Sequence, residues 1–125
     1  RCFCGKINCV ETWLSGPGLE ATAKSFYESG ISSHSIAEKI KTNEPKAVTL
    51  IEDYCDKLAS ALAIVINILD PEKIVLGGGL SNIDAIYEIT PGLLTKYVFS
   101  ERVSTSIVKA AYGDSSGVRG AAWLF

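Results

Sequence analysis

The chain has 125 residues, of which 47% are hydrophobic and 21% are charged, and its formal net charge is −2. This composition is typical of a globular domain, and it provides no basic surface of the kind that binds nucleic acids. The longest apolar stretch, residues 58–69, is about half as long as a bilayer-spanning helix, so we expect no membrane partner. No secretory signal opens the chain, and we expect a cytoplasmic protein.

The first half of the chain is predicted to be helical. A broken helix is predicted over 11–27, and Ser33 or Ser35 is expected to cap a second helix that ends near Lys41. Apolar residues then recur at helical spacing over 47–69. The second half of this long helix is apolar on nearly all sides, which predicts that it is buried.

The second half of the chain alternates between strands and helices. Its elements are a strand at 73–76, a glycine run at 77–79, a helix over 84–98 with a kink at Pro91, a strand at 106–110, and a turn at 113–117 that leads into a terminal helix over 118–125. This order indicates an α/β fold. Two strands are few for a complete sheet, and Arg1 already lies beside a dense motif. We therefore expect the chain to be part of a larger protein.

Three of the four cysteines lie within the first nine residues, at Cys2, Cys4 and Cys9. Three thiolates at this spacing can converge on one tetrahedral zinc ion, with Gly5 allowing the backbone to reverse between them. Disulfides among them would need very tight loops, and the absence of a secretory signal argues against oxidation. The residues alone leave open three small buried thiols, and they offer no obvious fourth ligand. We predict a zinc knuckle over 1–11.

Two further potential ligands are predicted to play no part in a metal site. Cys55 is isolated on the long helix and is expected to be a buried or half-buried free thiol. His34, the single histidine, lies in a serine-rich segment and is expected to be solvated.

Residues 72–81 combine a predicted strand with Gly77, Gly78 and Gly79. Because glycines have no side chains, a ligand can lie against this backbone, and the start of a following helix favours phosphate. The alternative is a tight strand-to-helix turn. The segment is not a P-loop, because no Gly-Lys-Ser/Thr follows.

A Gly-Asp-Ser-Ser-Gly run lies near the carboxyl end of the chain, after Tyr112. A serine hydrolase is excluded because no histidine is well placed. Capping of the terminal helix by Asp114 or Ser115 explains the pattern.

The cysteine segment resembles the signature Cys-x-Cys-Gly-x-x-Gly-Cys-x-Glu of ROK proteins, a family of sugar kinases and sugar-responsive repressors. The matching positions are Cys2, Cys4, Gly5, Cys9 and Glu11. Asn8 stands where the family has glycine, and asparagine is the other residue that best tolerates a positive φ angle. The resemblance implies that the cysteines bind zinc together with an upstream histidine, which this chain lacks. It also implies that Glu11 hydrogen-bonds sugar hydroxyls.

The two later segments extend the resemblance over essentially the whole chain. The glycine run is similar to the adenosine-side loop of actin-like sugar kinases, which implies that Gly77, Gly78 and Gly79 line the nucleotide. The final segment resembles the ending His-Gly-Asp-Ser-Ser-Gly-Val-Arg-Gly-Ala-Ala-Trp of bacterial fructokinases, with Tyr112 in place of the histidine. A related group of N-acetylglucosamine kinases has a less similar ending.

The resemblance implies the C-terminal part of an actin-like (ribonuclease H-like) ATPase domain, helix-rich with few strands. The parent protein is expected to phosphorylate a hexose, with fructose as the first choice, using ATP and Mg²⁺, and to carry a structural zinc ion. The catalytic base is expected in an N-terminal domain absent from this chain. No residue of the chain is assigned as catalytic, and the isolated chain is expected to be inactive.

Three alternatives differ in function or in partners. An N-acetylglucosamine kinase and the effector domain of a ROK repressor both fit the cysteine signature. A free-standing zinc-knuckle module is disfavoured by the net charge and by the two later segments. An unpaired sheet edge and exposed apolar surface also predict self-association, as a homodimer.

Overall fold

The computed structural model describes residues 1–124 and packs helices around a small parallel sheet. The helices are α1 (Glu11–Leu14), α2 (Gly16–Ala23), α3 (Ser33–Lys41), α4 (Pro45–Leu69), α5 (Ala85–Leu94) and α6 (Ser116–Ala122), and the strands are β1 (Lys73–Leu76) and β2 (Ser106–Lys109). Two 3₁₀ turns, Gly79–Asn82 and Gly113–Ser115, follow the two strands. Among these described residues, no helix combines the length and apolar character that crossing a membrane requires.

The sheet consists of β1 and β2, which run parallel with Ile74 opposite Ile107. Parallel strands need a crossover connection, and α5 lies on that connection. Ile74 and Ile107 pack on one face of the sheet with Ile66 of α4 and Leu94 of α5. The opposite face carries Val75, which is 60% exposed.

The main core forms where α4 packs against α2, α3 and α5. Its buried side chains are Leu19, Ala23, Ile36, Leu50, Ile51, Tyr54, Cys55, Leu58, Ile83 and Ile86. The Tyr54 hydroxyl donates a hydrogen bond of 3.0 Å to the carbonyl oxygen of Leu14, which ties α1 to α4. Cys55 is fully buried, as predicted for a free thiol, and this burial raises its pKa to about 11.

The second half of α4 is exposed where the sequence predicted burial. Ile64, Ile68 and Leu69 are 62%, 74% and 70% exposed, whereas Ala63 and Ile66 on the other side of the helix are buried. The reason is that α5 and the sheet pack along one side of α4 only. Within residues 1–124 no second layer covers the apolar ridge formed by Ile64, Ile68 and Leu69.

Several predicted helix ends are also corrected. Ser32, not Ser33 or Ser35, caps α3, because the helix begins one residue earlier and the Ser32 hydroxyl accepts a hydrogen bond of 3.2 Å from the Ser35 N–H. The cap predicted from Asp114 or Ser115 is absent from α6: Ser115 precedes the helix, but its hydroxyl donates to the Asp114 carboxylate instead.

The last two predicted helices are shorter than expected. Helix α5 ends at Leu94 instead of residue 98, and it contains Pro91 within its last turn. Helix α6 ends at Ala122, and Phe125 lies outside the described residues.

Candidate functional site

The structure brings the three cysteines of the amino-terminal knuckle together. The Sγ atoms of Cys2, Cys4 and Cys9 all lie within 4.8 Å of one another. Tetrahedral zinc with Zn–S distances of about 2.3 Å places its sulfur ligands about 3.8 Å apart, so small side-chain movements suffice to bind the ion. The donor set therefore fits zinc. The residues described here add no fourth histidine, cysteine or carboxylate to this cluster, and His34 is solvent-exposed on α3.

Two residues in the left-handed region of backbone space reverse the chain within the knuckle. Gly5 has a φ of 84° and Asn8 has a φ of 56°. Two backbone hydrogen bonds of 2.9 Å, from Gly5 N–H to the Cys2 carbonyl and from Cys2 N–H to the Lys6 carbonyl, close the first turn. Asn8 thus adopts a backbone conformation that glycine favours, so asparagine at this position is compatible with the reversal of the chain in the knuckle.

The thiols of the knuckle differ in exposure and in acidity. Cys4 is exposed, and its pKa is lowered by the backbone N–H of Lys6 and by the neighbouring Cys2 thiol. For Cys2 the N–H of Cys4 lowers the pKa, but burial and the thiols of Cys4 and Cys9 outweigh it, so the net shift is upward. Because metals bind thiolates, the lowered pKa of Cys4 favours the form of this thiol that a metal binds.

Glu11 begins α1 directly after the knuckle. The Cys9 carbonyl accepts hydrogen bonds from the backbone N–H of Thr12 at 2.8 Å and from its hydroxyl at 2.6 Å, which joins the knuckle to the helix. The Glu11 side chain is exposed and lines an open groove of about 500 Å³ together with Phe3. A carboxylate here can accept hydrogen bonds from hydroxyl groups, and the helix dipole favours its negative charge.

Gly18 is a site residue that the sequence analysis missed. A Cβ atom at this position would lie 2.8 Å from the backbone of Thr12, so only glycine lets α2 approach α1 this closely behind Glu11. The sequence predicted only a broken helix over 11–27, because a close approach of two backbones leaves no local pattern.

The glycine run emerges from β1 and is open to solvent. No atom lies within 4 Å of a Cβ placed on Gly77, Gly78 or Gly79, so a ligand can lie against this backbone. Gly78 has a φ of 83° and a ψ of 175°, a conformation accessible essentially to glycine alone. The loop enters the 3₁₀ turn Gly79–Asn82, so the helix start expected to favour phosphate does not follow the glycines directly.

A groove of about 630 Å³ lies between α3 and the start of α5, and it reaches Asn82 at the end of the turn that follows the glycine loop. Its apolar lining residues are Ala37, Ile40, Val48, Ile51, Ile83, Ala85 and Ile89, and its polar ones are His34, Glu38, Lys41, Asn43, Asn82, Asp84 and Glu88. A smaller hollow of about 180 Å³ lies between Leu14 of α1 and Gly77. The sequence analysis did not assign α3 to the site, because its proximity to α5 is a tertiary contact between distant segments.

The carboxyl-terminal segment lies beside the glycine loop. The turn Gly113–Ser115 packs against the turn Gly79–Asn82, and the Ala110 N–H donates to the Leu76 carbonyl at 3.0 Å. The guanidinium of Arg119 lies 4.0 Å from the centre of the Tyr112 ring. This cation–π contact gives Tyr112 a structural role in the segment.

The model of the ROK family matches residues 1–125, the whole chain. The chain belongs to the ROK family. This membership confirms the resemblance to ROK proteins drawn from the cysteine signature, while the closer resemblance of the final segment to fructokinases stays a prediction.

The ROK relatives include sugar kinases. The chain is 41% identical over 123 residues to the N-acetyl-D-glucosamine kinase of Yersinia pseudotuberculosis serotype O:1b, covering 98% of this chain and 40% of that protein. It is 42% identical over 123 residues to the enzyme of the same name from Vibrio cholerae serotype O1, covering 98% of this chain and 41% of that protein. The chain thus spans about two-fifths of the length of these curated relatives.

Solved ROK structures have the same fold. The ROK hexokinase from Thermus thermophilus superposes with a TM-score of 0.79 at 25% identity, over 97% of this chain and 41% of that chain. A ROK family glucokinase from Streptomyces griseus, in complex with glucose and AMPPNP, gives a TM-score of 0.85 at 23% identity, over 97% and 45%. A ROK transcriptional regulator homologous to E. coli MLC gives a TM-score of 0.74 at 26% identity, over 87% of this chain and 31% of that chain. The helix-rich, actin-like α/β fold predicted from the sequence is confirmed.

Proposed function

We propose that this chain is the sugar- and adenosine-side part of an ATP-dependent hexose kinase of the ROK family. The observation that carries the proposal is the arrangement of Glu11 and the glycine loop around α1. Glu11 lines the groove at the start of the helix, and Leu14 at its end shares a hollow with Gly77. Identity of 41% to sugar kinases along nearly the whole chain supports the same assignment.

Each part of this site has a chemical role in the proposal. The Glu11 carboxylate accepts charge-assisted hydrogen bonds from the sugar hydroxyls. The adenosine of ATP lies along Gly77, Gly78 and Gly79, and its adenine ring packs on the apolar residues of the groove between α3 and α5. Magnesium bound with the phosphates would supply neutralisation of the charge on the transferred group. The general base, which accepts the proton of the sugar hydroxyl, is supplied by sequence outside this chain.

We further propose that Cys2, Cys4 and Cys9 hold a structural zinc ion, with an upstream histidine or a water molecule as the fourth ligand. Cys9 would be held by the ion, and because its carbonyl accepts two hydrogen bonds from Thr12, the start of α1 would be held with it. Metal analysis of protein purified without chelator under reducing conditions tests this. Cys4→Ser should lose the zinc and Cys55→Ser should keep it, whereas zinc absent from the unmodified chain would refute the site.

The sugar is the finer part of the proposal. Several N-acetyl-D-glucosamine kinases among the relatives favour N-acetylglucosamine, and the ending of the chain favours fructose. The deciding experiment is a coupled assay on the full reading frame that contains this sequence, comparing kcat/KM for N-acetylglucosamine, fructose, glucose and mannose. No phosphorylation of any hexose would overturn the kinase proposal.

A second candidate is the sugar-sensing domain of a ROK transcriptional repressor. The observation in its favour is the fold shared with the ROK regulator at a TM-score of 0.74 and 26% identity. A helix-turn-helix encoded upstream supports the repressor, and an Asp-Gly-Gly-Thr-like segment supports the kinase. Binding of AMPPNP by the purified protein separates the two, because only the kinase uses the glycine loop for a nucleotide.

We also propose that the protein acts in the cytoplasm as a homodimer and that this chain itself contacts no nucleic acid. The net charge of −2 supports the last point. The apolar ridge on α4 supports self-association.

A further inference from the structure

We propose that Cys4 and Cys9 are a reversible oxidation site, where a peroxide converts two knuckle thiols into a disulfide that excludes zinc. The three knuckle sulfurs lie within 4.8 Å of one another, so a disulfide requires only local movement. Formation of this bond does not depend on the kinase proposal. Only the consequence for sugar binding through Glu11 rests on that proposal.

Exposure and chain geometry select this pair of thiols. Cys4 is exposed and meets the oxidant first, Cys9 is half-buried, and Cys2 is buried. Cys2 and Cys4 are separated by one residue, so a bond between them would close a small, strained ring. Between Cys4 and Cys9 lie Gly5 and Asn8, and their positive φ angles already fold the intervening chain into the tight loop that such a disulfide needs.

The chemistry balances with hydrogen peroxide as the only co-reactant. The Cys4 thiolate attacks one peroxide oxygen, and hydroxide leaves, which gives a sulfenic acid on Cys4. The Cys9 thiolate then attacks the Cys4 sulfur, the S–O bond breaks, and a second hydroxide leaves. The two hydroxides take up the two thiol protons as water. The two sulfurs together lose two electrons, and peroxide gains them. A dithiol reductant reduces the disulfide back to two thiols.

The disulfide acts on α1 through the backbone of Cys9. The Cys9 carbonyl accepts both hydrogen bonds of Thr12, so moving Cys9 towards Cys4 pulls on the first turn of the helix. Glu11 lies in that turn, and it lines the groove together with Cys2 of the knuckle. Oxidation therefore shifts the Glu11 carboxylate, which we assign to sugar binding, and removes two of the thiolates that would hold zinc.

Mass spectrometry of the peroxide-treated chain tests the bond. The metal-free chain should lose two hydrogens and yield a linked peptide pair containing Cys4 and Cys9, and dithiothreitol should reverse the change. Cys2→Ser should still form the bond. Cys9→Ser should stop at a sulfenic acid on Cys4, trapped by dimedone, and Cys4→Ser should form neither product. Zinc-loaded chain should react more slowly than metal-free chain. The proposal is overturned if the disulfide involves Cys2, if the first dimedone adduct forms on Cys55, or if no linked peptide pair appears.

Tryptophan fluorescence tests the effect on α1. The chain has two tryptophans, and Trp123→Phe leaves Trp13, two residues after Glu11, as the reporter. Peroxide should change the emission of the Trp123→Phe chain reversibly, and it should leave the same chain with Cys4→Ser unchanged. A disulfide that forms with no change in Trp13 emission overturns the coupling. Circular dichroism confirms that each variant is folded, and neither readout requires sugar binding or kinase activity.

Discussion

The hydroxyl of Tyr87 donates a hydrogen bond of 2.8 Å to the carbonyl oxygen of Ser81. Ser81 in turn donates to the Gly78 carbonyl from its hydroxyl, at 2.6 Å, and from its backbone N–H, at 3.1 Å. A series of hydrogen bonds therefore runs from α5 to the middle of the glycine loop. The conformation of the loop depends on this support as well as on the glycines.

Substitution of two adjacent glycines, Gly77 and Gly78, should separate the effect of the loop on stability from its effect on nucleotide binding. Gly78→Ala should lower the free energy of unfolding by about 1–3 kcal/mol, because a Cβ is strained at a φ of 83° with an extended ψ. Gly77→Ala should leave stability unchanged, since the space around it is open, yet weaken AMPPNP binding by occupying that space. Urea denaturation and titration calorimetry measure the two effects. Equal stability losses, or full nucleotide affinity in Gly77→Ala, would contradict this assignment.

The sugar contact is tested by Glu11→Gln in the full reading frame. Removing a charge-assisted hydrogen bond of roughly 1.5–3 kcal/mol should raise the KM for sugar about ten- to a hundredfold. The KM for ATP should stay constant, because the carboxylate lines the groove on the knuckle side of α1. Glu28→Gln, an exposed carboxylate in the loop after α2, is the matched control and should change neither constant. An unchanged sugar KM in Glu11→Gln would remove this residue from the site.

Much of this site was predictable because its chemistry is local in the sequence. Cysteine spacing and turn residues predicted the knuckle, and Asn8 does adopt the positive φ that its position requires. The groove between α3 and α5 was not predictable, since Ala37 and Ile89 meet only in the folded chain. Exposure of Ile68 was missed for a related reason: hydrophobicity shows what can be buried, while burial also needs a covering element.

Stability should fall in alkaline solution because of buried groups in α4. Burial raises the pKa of Cys55 to about 11 from 9.0, and it raises the pKa of Tyr54 to about 12 from 10.0. The folded state keeps these protons longer than the unfolded state does. The Cys55 contribution is therefore complete below pH 9 and is lost between pH 9 and 11, at a cost of about 2–3 kcal/mol.

Urea unfolding at a series of pH values checks this expectation. Cys55→Ala should have a shallower decline above pH 9 than the unmodified chain. A decline of the same slope in Cys55→Ala would show that this thiol is not responsible.

The apolar ridge on α4 should drive self-association of the chain. Ile64 is 62% exposed beside Ile68 and Leu69, and burying such a surface between two copies is favourable. Ile64→Lys should shift the chain towards monomer in sedimentation experiments. Thr49→Lys places the same charge on an exposed position of the same helix, and it should leave the self-association unchanged. Identical behaviour of the two variants would exclude the ridge as the contact surface.

The isolated 125-residue chain should have no kinase activity. Phosphoryl transfer requires a group that takes the proton of the attacking hydroxyl, positioned against sugar, magnesium and nucleotide together. Among the described residues that line the groove, Glu11 is the one carboxylate, and it is assigned to holding the sugar. We expect weak AMPPNP binding by the chain alone, because the contacts proposed for the glycine loop are local.

The assay mixes the purified chain with ATP, magnesium and N-acetylglucosamine or fructose, and it measures ADP. We expect no ADP above a blank without protein, while AMPPNP binding shows that the chain is folded. The full reading frame that contains this sequence, assayed in parallel, is the positive control, because this chain spans about two-fifths of the length of the curated relatives it matches. Turnover by the chain that survives repurification and disappears in Glu11→Gln would mean that Glu11 itself acts as the base. Its role would then be proton transfer in addition to sugar binding.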